Sequence, residues 1–261
     1  MRRLGVIGPL SRDVVAGARP TIGGGPWHAA RALRLLGLEA VVFAKCGSAD
    51  RPAFRPRLAA LGLPSVVAAG GETTAFSFSY DKRGVRSMRV DAAGEPFSPE
   101  DVPATLLRRV EWLHVVPLLR GDLDADLLEW LARGRRLLLD AHGLVRVRSV
   151  GPLVLDDRYD PALLRHVAVL KLAEEEAAAI GDLTALGVPE IVVTAGAGGA
   201  RVVTREDEVH VPARPVSTDP TGAGDAFGIA YVAARAEGHT PLSAARRATA
   251  LVAALLRGGA R

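Results

Sequence analysis

The run Asp219-Pro220-Thr221-Gly222-Ala223-Gly224-Asp225-Ala226-Phe227 places two glycines, a small residue and a carboxylate where a long apolar helical pattern begins. The first N–H groups of a helix have no intrahelical partner, and together with the helix dipole they favour an anion. A carboxylate in the same turn can accept the proton of a nucleophile held beside that anion. Transfer of a phosphoryl group to an alcohol needs those two functions side by side. Taken alone, Asp225 also reads as a first-turn acid that stabilises the dipole, and the glycines as a tight turn.

Other residues carry possible chemistry. Asp13 follows the first strand-like run, and a carboxylate there can accept from two neighbouring hydroxyls; the plain alternative is a loop acid. Gly23-Gly24-Gly25-Pro26 precedes a helical pattern that begins with His28 close by. Asp140-Ala141-His142-Gly143-Leu144-Val145-Arg146 follows a strand-like run directly, at the edge where α/β sites lie. Arg146 suits either a phosphate or an acidic partner. Glu174-Glu175-Glu176 reads by itself as a solvated helix start. Thr194-Ala195-Gly196-Ala197-Gly198-Gly199-Ala200 is a glycine-rich strand end. No Gly-x-x-x-x-Gly-Lys-Ser/Thr run exists, which argues against a P-loop. The spacing of Gly222, Gly224 and Gly228 misses the dinucleotide fingerprint by one residue, which argues against a dinucleotide-binding dehydrogenase.

The elements that must position these residues alternate. Strands are expected at Leu4 to Ile7, Ala40 to Ala44 and Ser65 to Ala69, with helices at Ala29 to Leu36 and Pro52 to Leu61 between them. That order is the pattern of a parallel sheet with covering helices. Thr73 to Tyr80 then alternates, with Phe76, Phe78 and Tyr80 on one side; Asp81-Lys82-Arg83-Gly84 turns, and Val85 to Val90 returns. The aromatic face of this hairpin either packs on the core, covers a site as a lid, or contacts a second copy. Further strands are expected at Trp112 to Val116, Arg136 to Asp140, Val167 to Lys171 and Glu190 to Thr194, with helices near Asp124 to Ala132 and Glu174 to Ile180. A strand pair, Arg201 to Thr204 and Glu208 to Val211, precedes closing helices at Ala223 to Glu237 and Pro241 to Leu256.

The 261 residues suit one α/β domain, and 49% of them are hydrophobic, enough for a large core. The single cysteine, Cys46, excludes an intrachain disulfide framework and a cysteine-based zinc site. No apolar run reaches membrane-spanning length, and Met1-Arg2-Arg3-Leu4 leads straight into a strand without the apolar stretch of a signal peptide, so the cytoplasm is the expected location. The net charge of +4 comes from scattered arginines without an aromatic-interleaved basic patch, so neither nucleic acid nor a membrane is an expected partner. Positive potential suits an anionic nucleotide instead. Asparagine and glutamine are absent, so any site that commonly uses an amide must use another group.

The nine-residue run around Asp225 resembles the C-terminal signature of the PfkB, or ribokinase-like, carbohydrate kinases, Asp-Thr-Thr-Gly-Ala-Gly-Asp-x-Phe, with Pro220 the only departure. Gly23-Gly24-Gly25-Pro26-Trp27-His28-Ala29-Ala30 through Leu36-Gly37 resembles the family's N-terminal Gly-Gly motif. The resemblance implies a three-layer α/β/α fold with a mainly parallel central sheet over residues 1–261, and a small β lid from about 13–22 and 73–90. It implies transfer of the γ-phosphate of ATP to a hydroxyl of a sugar or sugar-like polyol, with myo-inositol or a nucleoside as alternative acceptors. A non-catalytic binding protein of the same fold is the rival class.

By the same resemblance, Asp225 is the general base, and Gly222, Ala223 and Gly224 form the anion hole. Thr194, Gly196 and Gly199 match a nucleotide loop. Asp13, Gly23, Gly24 and His28 match acceptor positions, with His28 where the family commonly has asparagine. Glu176 matches a glutamate that organises Mg²⁺, although Ala173 replaces the asparagine of that motif. His142 stands in place of a glutamine. A lid-mediated homodimer is a further expectation.

Overall fold

A computed structural model describes residues 4–15, 18–80, 86–214 and 221–258. The strands are β1 (Leu4–Pro9), β2 (Ser11–Val15), β3 (Thr21–Gly23), β4 (Ala40–Gly47), β5 (Ser65–Gly70), β6 (Thr74–Tyr80), β7 (Arg86–Ala92), β8 (Trp112–Val115), β9 (Arg136–Asp140), β10 (Gly151–Pro152), β11 (Val167–Ala173), β12 (Glu190–Thr194), β13 (Ala200–Thr204) and β14 (Glu208–Val211). The helices are α1 (Gly25–Leu36), α2 (Arg51–Ala59), α3 (Ala104–Leu107), α4 (Ala125–Ala132), α5 (His142–Val145), α6 (Glu174–Ile180), α7 (Ala223–Ala236) and α8 (Pro241–Gly258).

Nine strands form the central sheet in the order β14-β13-β12-β11-β9-β8-β1-β4-β5. All its pairings are parallel except β12–β13 and β13–β14, which close one edge as antiparallel pairs. Because side chains alternate across a strand, successive residues serve opposite faces. Leu137 and Leu139 join one buried cluster with Leu127, Leu128 and Leu131 of α4 and Ala177 of α6. Leu138 between them joins the other, with Ala29 and Leu33 of α1, Phe227 to Ala234 of α7, and Ala244 and Ala248 of α8. The result is the three-layer α/β/α arrangement expected from the sequence. Among the described residues, no helix is long and apolar enough to cross a membrane.

A second sheet of five strands runs β10-β7-β6-β2-β3. It joins the expected hairpin, β6 and β7, to β2 and β3 from near the N-terminus, and β2 pairs with β6 in parallel. The turn at Asp81 to Gly84 lies outside the described residues. The hairpin's aromatic face is turned inward: Phe76, Phe78 and Val90 pack on Leu118 and Leu119. The loop carrying those leucines is held by Asp122, which accepts from Leu118 N–H (2.7 Å) and Leu119 N–H (2.9 Å) and is bridged to Arg148 at 2.7 Å. A guanidinium nitrogen of Arg148 donates in turn to the carbonyl of Gly94, just after the hairpin.

Candidate active site

A cleft of about 190 Å³ lies where the second sheet faces the N-terminus of α7 and the ends of β11 and β12. Its polar wall comes from the N-terminal third of the chain. Ser11 and Asp13 lie two apart on β2, hence on one face of the strand, and both side chains crowd Gly23 across the β2–β3 pair. A Cβ at Gly23 would meet Asp13 Oδ2 at 2.0 Å and Ser11 Oγ at 2.7 Å. Gly23 is therefore required by the packing of the acid, and it does not itself line the cleft. Gly24 does, at φ +91° as the N-cap of α1, where a Cβ would meet the Pro9 carbonyl oxygen at 2.5 Å. With Pro26 in its first turn, α1 starts at Gly25, four residues earlier than the apolar pattern suggests. His28 follows one turn into α1 and reaches the cleft.

The opposite wall is the start of α7. Asp219 and Pro220 lie outside the described residues, but Thr221, Gly222, Gly224 and Asp225 all line the cleft. Gly222 is the N-cap, at φ +79°, a left-handed conformation. A Cβ there would lie 2.3 Å from His28 Nδ1, so α1 and the start of α7 touch through this glycine. Ala223 is the one member of the Thr221–Asp225 turn that does not line the cleft.

The floor is a cluster of buried ionisable groups. Lys171 on β11 is 3% exposed and is ion-paired to Asp140 at the end of β9. Asp140 also bonds His114 Nε2 on β8 at 2.8 Å. Burial pushes the Asp140 carboxyl upward, but Lys171 and His114 outweigh it and hold the acid ionised. Burial likewise opposes the charge on Lys171, and Asp140 with Glu176 more than restores it.

Glu176 is buried while Glu174 and Glu175 are exposed, so the acidic run divides at the helix start. Its Oε2 accepts from the Ala173 N–H at 2.9 Å, and its Oε1 lies 3.2 Å from His142 Nε2 and 3.3 Å from a guanidinium nitrogen of Arg146. Burial pushes the Glu176 carboxyl upward, but His142, Arg146 and Lys171 leave it below its ordinary range. Burial and the Arg146 charge lower the His142 pKa, favouring its neutral ring. His142 and Arg146 both line the cleft.

The glycine-rich loop after β12 divides too. Thr194 lines the cleft and its hydroxyl donates to the Leu172 carbonyl at 3.1 Å. Gly196 and Gly199 do not line it. Gly199, at φ +98°, passes the Val211 carbonyl so closely that a Cβ would lie 2.1 Å from its oxygen. A larger groove of about 520 Å³ opens between α6 and β13–β14, lined by Glu174, Arg201 and His210 among small residues. Its lining includes neither Asp225 nor the start of α7.

Sequence reading missed Ser11, Lys171, Met88 and Leu118 as cleft residues, whereas Phe76 and Phe78 of the apolar roof lie on the hairpin face for which a lid was one of the expected roles. For Ser11 a signal was present in its spacing of two from Asp13. For Lys171, its place at the end of an apolar strand was the only sign.

A model of the pfkB family of carbohydrate kinases matches residues 14–259. Inositol 3-kinase of Zea mays is 35% identical over 162 residues, covering 60% of this chain but only 41% of that enzyme. A solved pyrophosphate-dependent kinase in the ribokinase family, complexed with a pyrophosphate analog and myo-inositol, is 26% identical, covers 97% of this chain and 95% of its own, and superposes with a TM-score of 0.83. Ribokinase of Arabidopsis thaliana, solved with ribose and ATP, shares the fold at a TM-score of 0.71 and 18% identity, over 98% of this chain and 93% of its own. The match over nearly the whole chain places this protein in the pfkB family of carbohydrate kinases.

Proposed function

We propose that the protein transfers the terminal phosphoryl group of ATP to a hydroxyl of a ring polyol, with a cyclitol such as myo-inositol as the leading acceptor class. The observation that carries this reading is the meeting, in one cleft, of a carboxylate and open helix start with a polar wall drawn from Ser11, Asp13 and His28. The relatives known for inositol support the acceptor class. An apolar roof of Phe76, Phe78 and Met88 suits the C–H face of a ring whose hydroxyls point to the polar wall.

In the mechanism, Asp13 and His28 orient the acceptor so that one hydroxyl meets Asp225. Asp225 takes its proton as the acceptor oxygen–phosphorus bond forms and the bond from phosphorus to the donor's bridging oxygen breaks. The N–H groups at Gly222, Ala223 and Gly224 stabilise the charge on the phosphoryl oxygens. The inward packing of β6 and β7 would exclude water. Among the described residues no cluster of three or more His, Cys, Asp or Glu could hold a metal, and both oxygens of Glu176 are already engaged. Mg²⁺ therefore fits this chain as an ion carried by donor phosphate oxygens, with Glu176 acting through the groups around it. A homodimer would have to use a lid surface other than the aromatic face, which is buried within the chain.

A second donor, inorganic pyrophosphate, is favoured by one observation. The relative of 26% identity over nearly the whole chain uses it, whereas the ATP-complexed ribokinase is more distant. Incubating the protein with a panel of cyclitols, pentoses and nucleosides, with either ATP or pyrophosphate and Mg²⁺, tests both readings. Phosphorus NMR should show a phosphomonoester of a cyclitol from ATP. Product from pyrophosphate alone would transfer the donor assignment, and no product from any pair would refute the kinase reading.

A further inference from the structure

The mechanism leaves a buried row of ionisable groups unused. His114, Asp140 and Lys171 sit on β8, β9 and β11 with the strand parity of Trp112, Leu138 and Val169, whose side chains belong to the α7 face of the sheet. They are 0%, 0% and 3% exposed. Removing charges from water to this depth is costly, and a buried ion pair is weak evidence for stability by itself.

Helix α7 is shaped around the row. Gly224 and Gly228 are four apart, on one face of the helix. A Cβ at Gly228 would lie 2.4 Å from the His114 ring, and one at Gly224 would lie 3.5 Å from Lys171 Nζ. The ammonium group thus lies beside the first turn of α7, a place where the helix dipole disfavours a cation. An ammonium has three N–H donors, and among the described residues Lys171 Nζ makes one hydrogen bond, to Asp140. Lys171 also lines the cleft, beside Gly222, Gly224 and Asp225. Two sources of positive potential, the helix start and the ammonium, converge on one small space. An anion placed there satisfies both.

We infer that Lys171 is a further catalytic residue whose Nζ donates hydrogen bonds to the phosphoryl group under transfer, with Asp140 and His114 as positioning residues that hold the ammonium beside Gly224. This role rests on the kinase reading above. No bond to Lys171 forms or breaks. The ammonium balances charge on a phosphoryl oxygen while the acceptor oxygen–phosphorus bond forms, the donor bond breaks and the proton passes to Asp225. Asp140, pinned by His114 on one oxygen, fixes the amine with the other, so the amine needs no reorganisation when charge develops.

The test compares the full-length protein with the variants Lys171→Met and Lys171→Met/Asp140→Asn. The double variant removes both members of the pair and leaves no orphaned charge. Its melting temperature should return towards that of the parent protein. Its affinity for inorganic pyrophosphate, measured by calorimetry, should still fall about 10-fold or more, and kcat about 100-fold, with the acceptor KM changed little. His114→Gln should lower kcat by a smaller factor at unchanged acceptor KM. Lys171→Met/Asp140→Leu carries the same readouts if the first pair folds poorly.

A folded double variant with the parent's pyrophosphate affinity and kcat would overturn the role and leave the pair structural. So would failure of the unsubstituted protein to bind pyrophosphate. If the unsubstituted protein phosphorylates no acceptor, the kinase reading falls, and the pyrophosphate comparison still decides whether Lys171 holds an anion.

Discussion

Gly222→Ala strikes the contact between the two halves of the cleft. Two costs can be separated. Alanine at φ +79° pays the left-handed penalty, about 1–2 kcal/mol. Its Cβ would also sit 2.3 Å from His28 Nδ1 and 2.5 Å from His28 Cγ, where ordinary contact begins at 3.4 Å, so ring and turn must separate by about 1 Å. Overpacking of that kind costs about 1–3 kcal/mol. The sum is a loss of roughly 2–5 kcal/mol in urea denaturation. A displacement of about 1 Å at the phosphate turn should also lower kcat on the order of 100-fold. In a His28→Ala background the steric part disappears and the backbone part stays. Gly222→Ala should then cost only about 1–2 kcal/mol, giving a coupling of similar size. Equal costs in both backgrounds would refute the close approach of His28 to Gly222. A folded Gly222→Ala protein with unchanged kcat would refute the placement of this turn at the transferring phosphate.

Asp225→Asn should keep the melting temperature within a few degrees and lower kcat about 100- to 10,000-fold in steady-state assays; a smaller loss argues for another base. His142→Gln tests the buried imidazole through pH. With its pKa lowered by burial and Arg146, His142 adds stability that is complete above the unfolded value of about 6.5 and is lost as pH falls through the folded value. Denaturation midpoints at pH 7.5 and 5.5 should therefore differ less in the variant than in the parent, and parallel profiles would refute the assignment. Asp122→Ala strands two N–H groups and Arg148, and should cost about 3–5 kcal/mol with a lowered melting temperature. Because Leu118 and Leu119 support Phe76 and Phe78, the acceptor KM should rise as well.

Much of the fold was legible because the central strands and helices have strong local signals. Arg136–Asp140, Glu190–Thr194 and Glu174–Ile180 stand where apolar runs and breakers placed them. The short strands β2 and β3 carried no such signal. β2 is stabilised by pairing with β6, more than fifty residues away, and β3 by pairing with β2, contacts that local pattern does not encode. The hairpin's aromatic face was visible as an alternation, but its destination was not. Only the position of Leu118 and Leu119 decides that it roofs the cleft.

The site follows the same division. By itself the sequence marked Gly222–Asp225 as a candidate anion site, since a small-residue turn with an acid at a helix start needs no distant partner to offer free N–H groups. It also marked Asp13, Gly24 and His28 through their motif. The tertiary structure alone decided that Gly23 serves Asp13, that Gly199 serves the Val211 carbonyl, and that Glu176 is already bound by His142 and Arg146. It alone joined His114, Asp140 and Lys171, which belong to three strands and become neighbours only when β8, β9 and β11 lie side by side. Local sequence specifies which groups a turn can offer. Which buried charges share a space depends on strand order, and strand order arises from contacts across the whole chain.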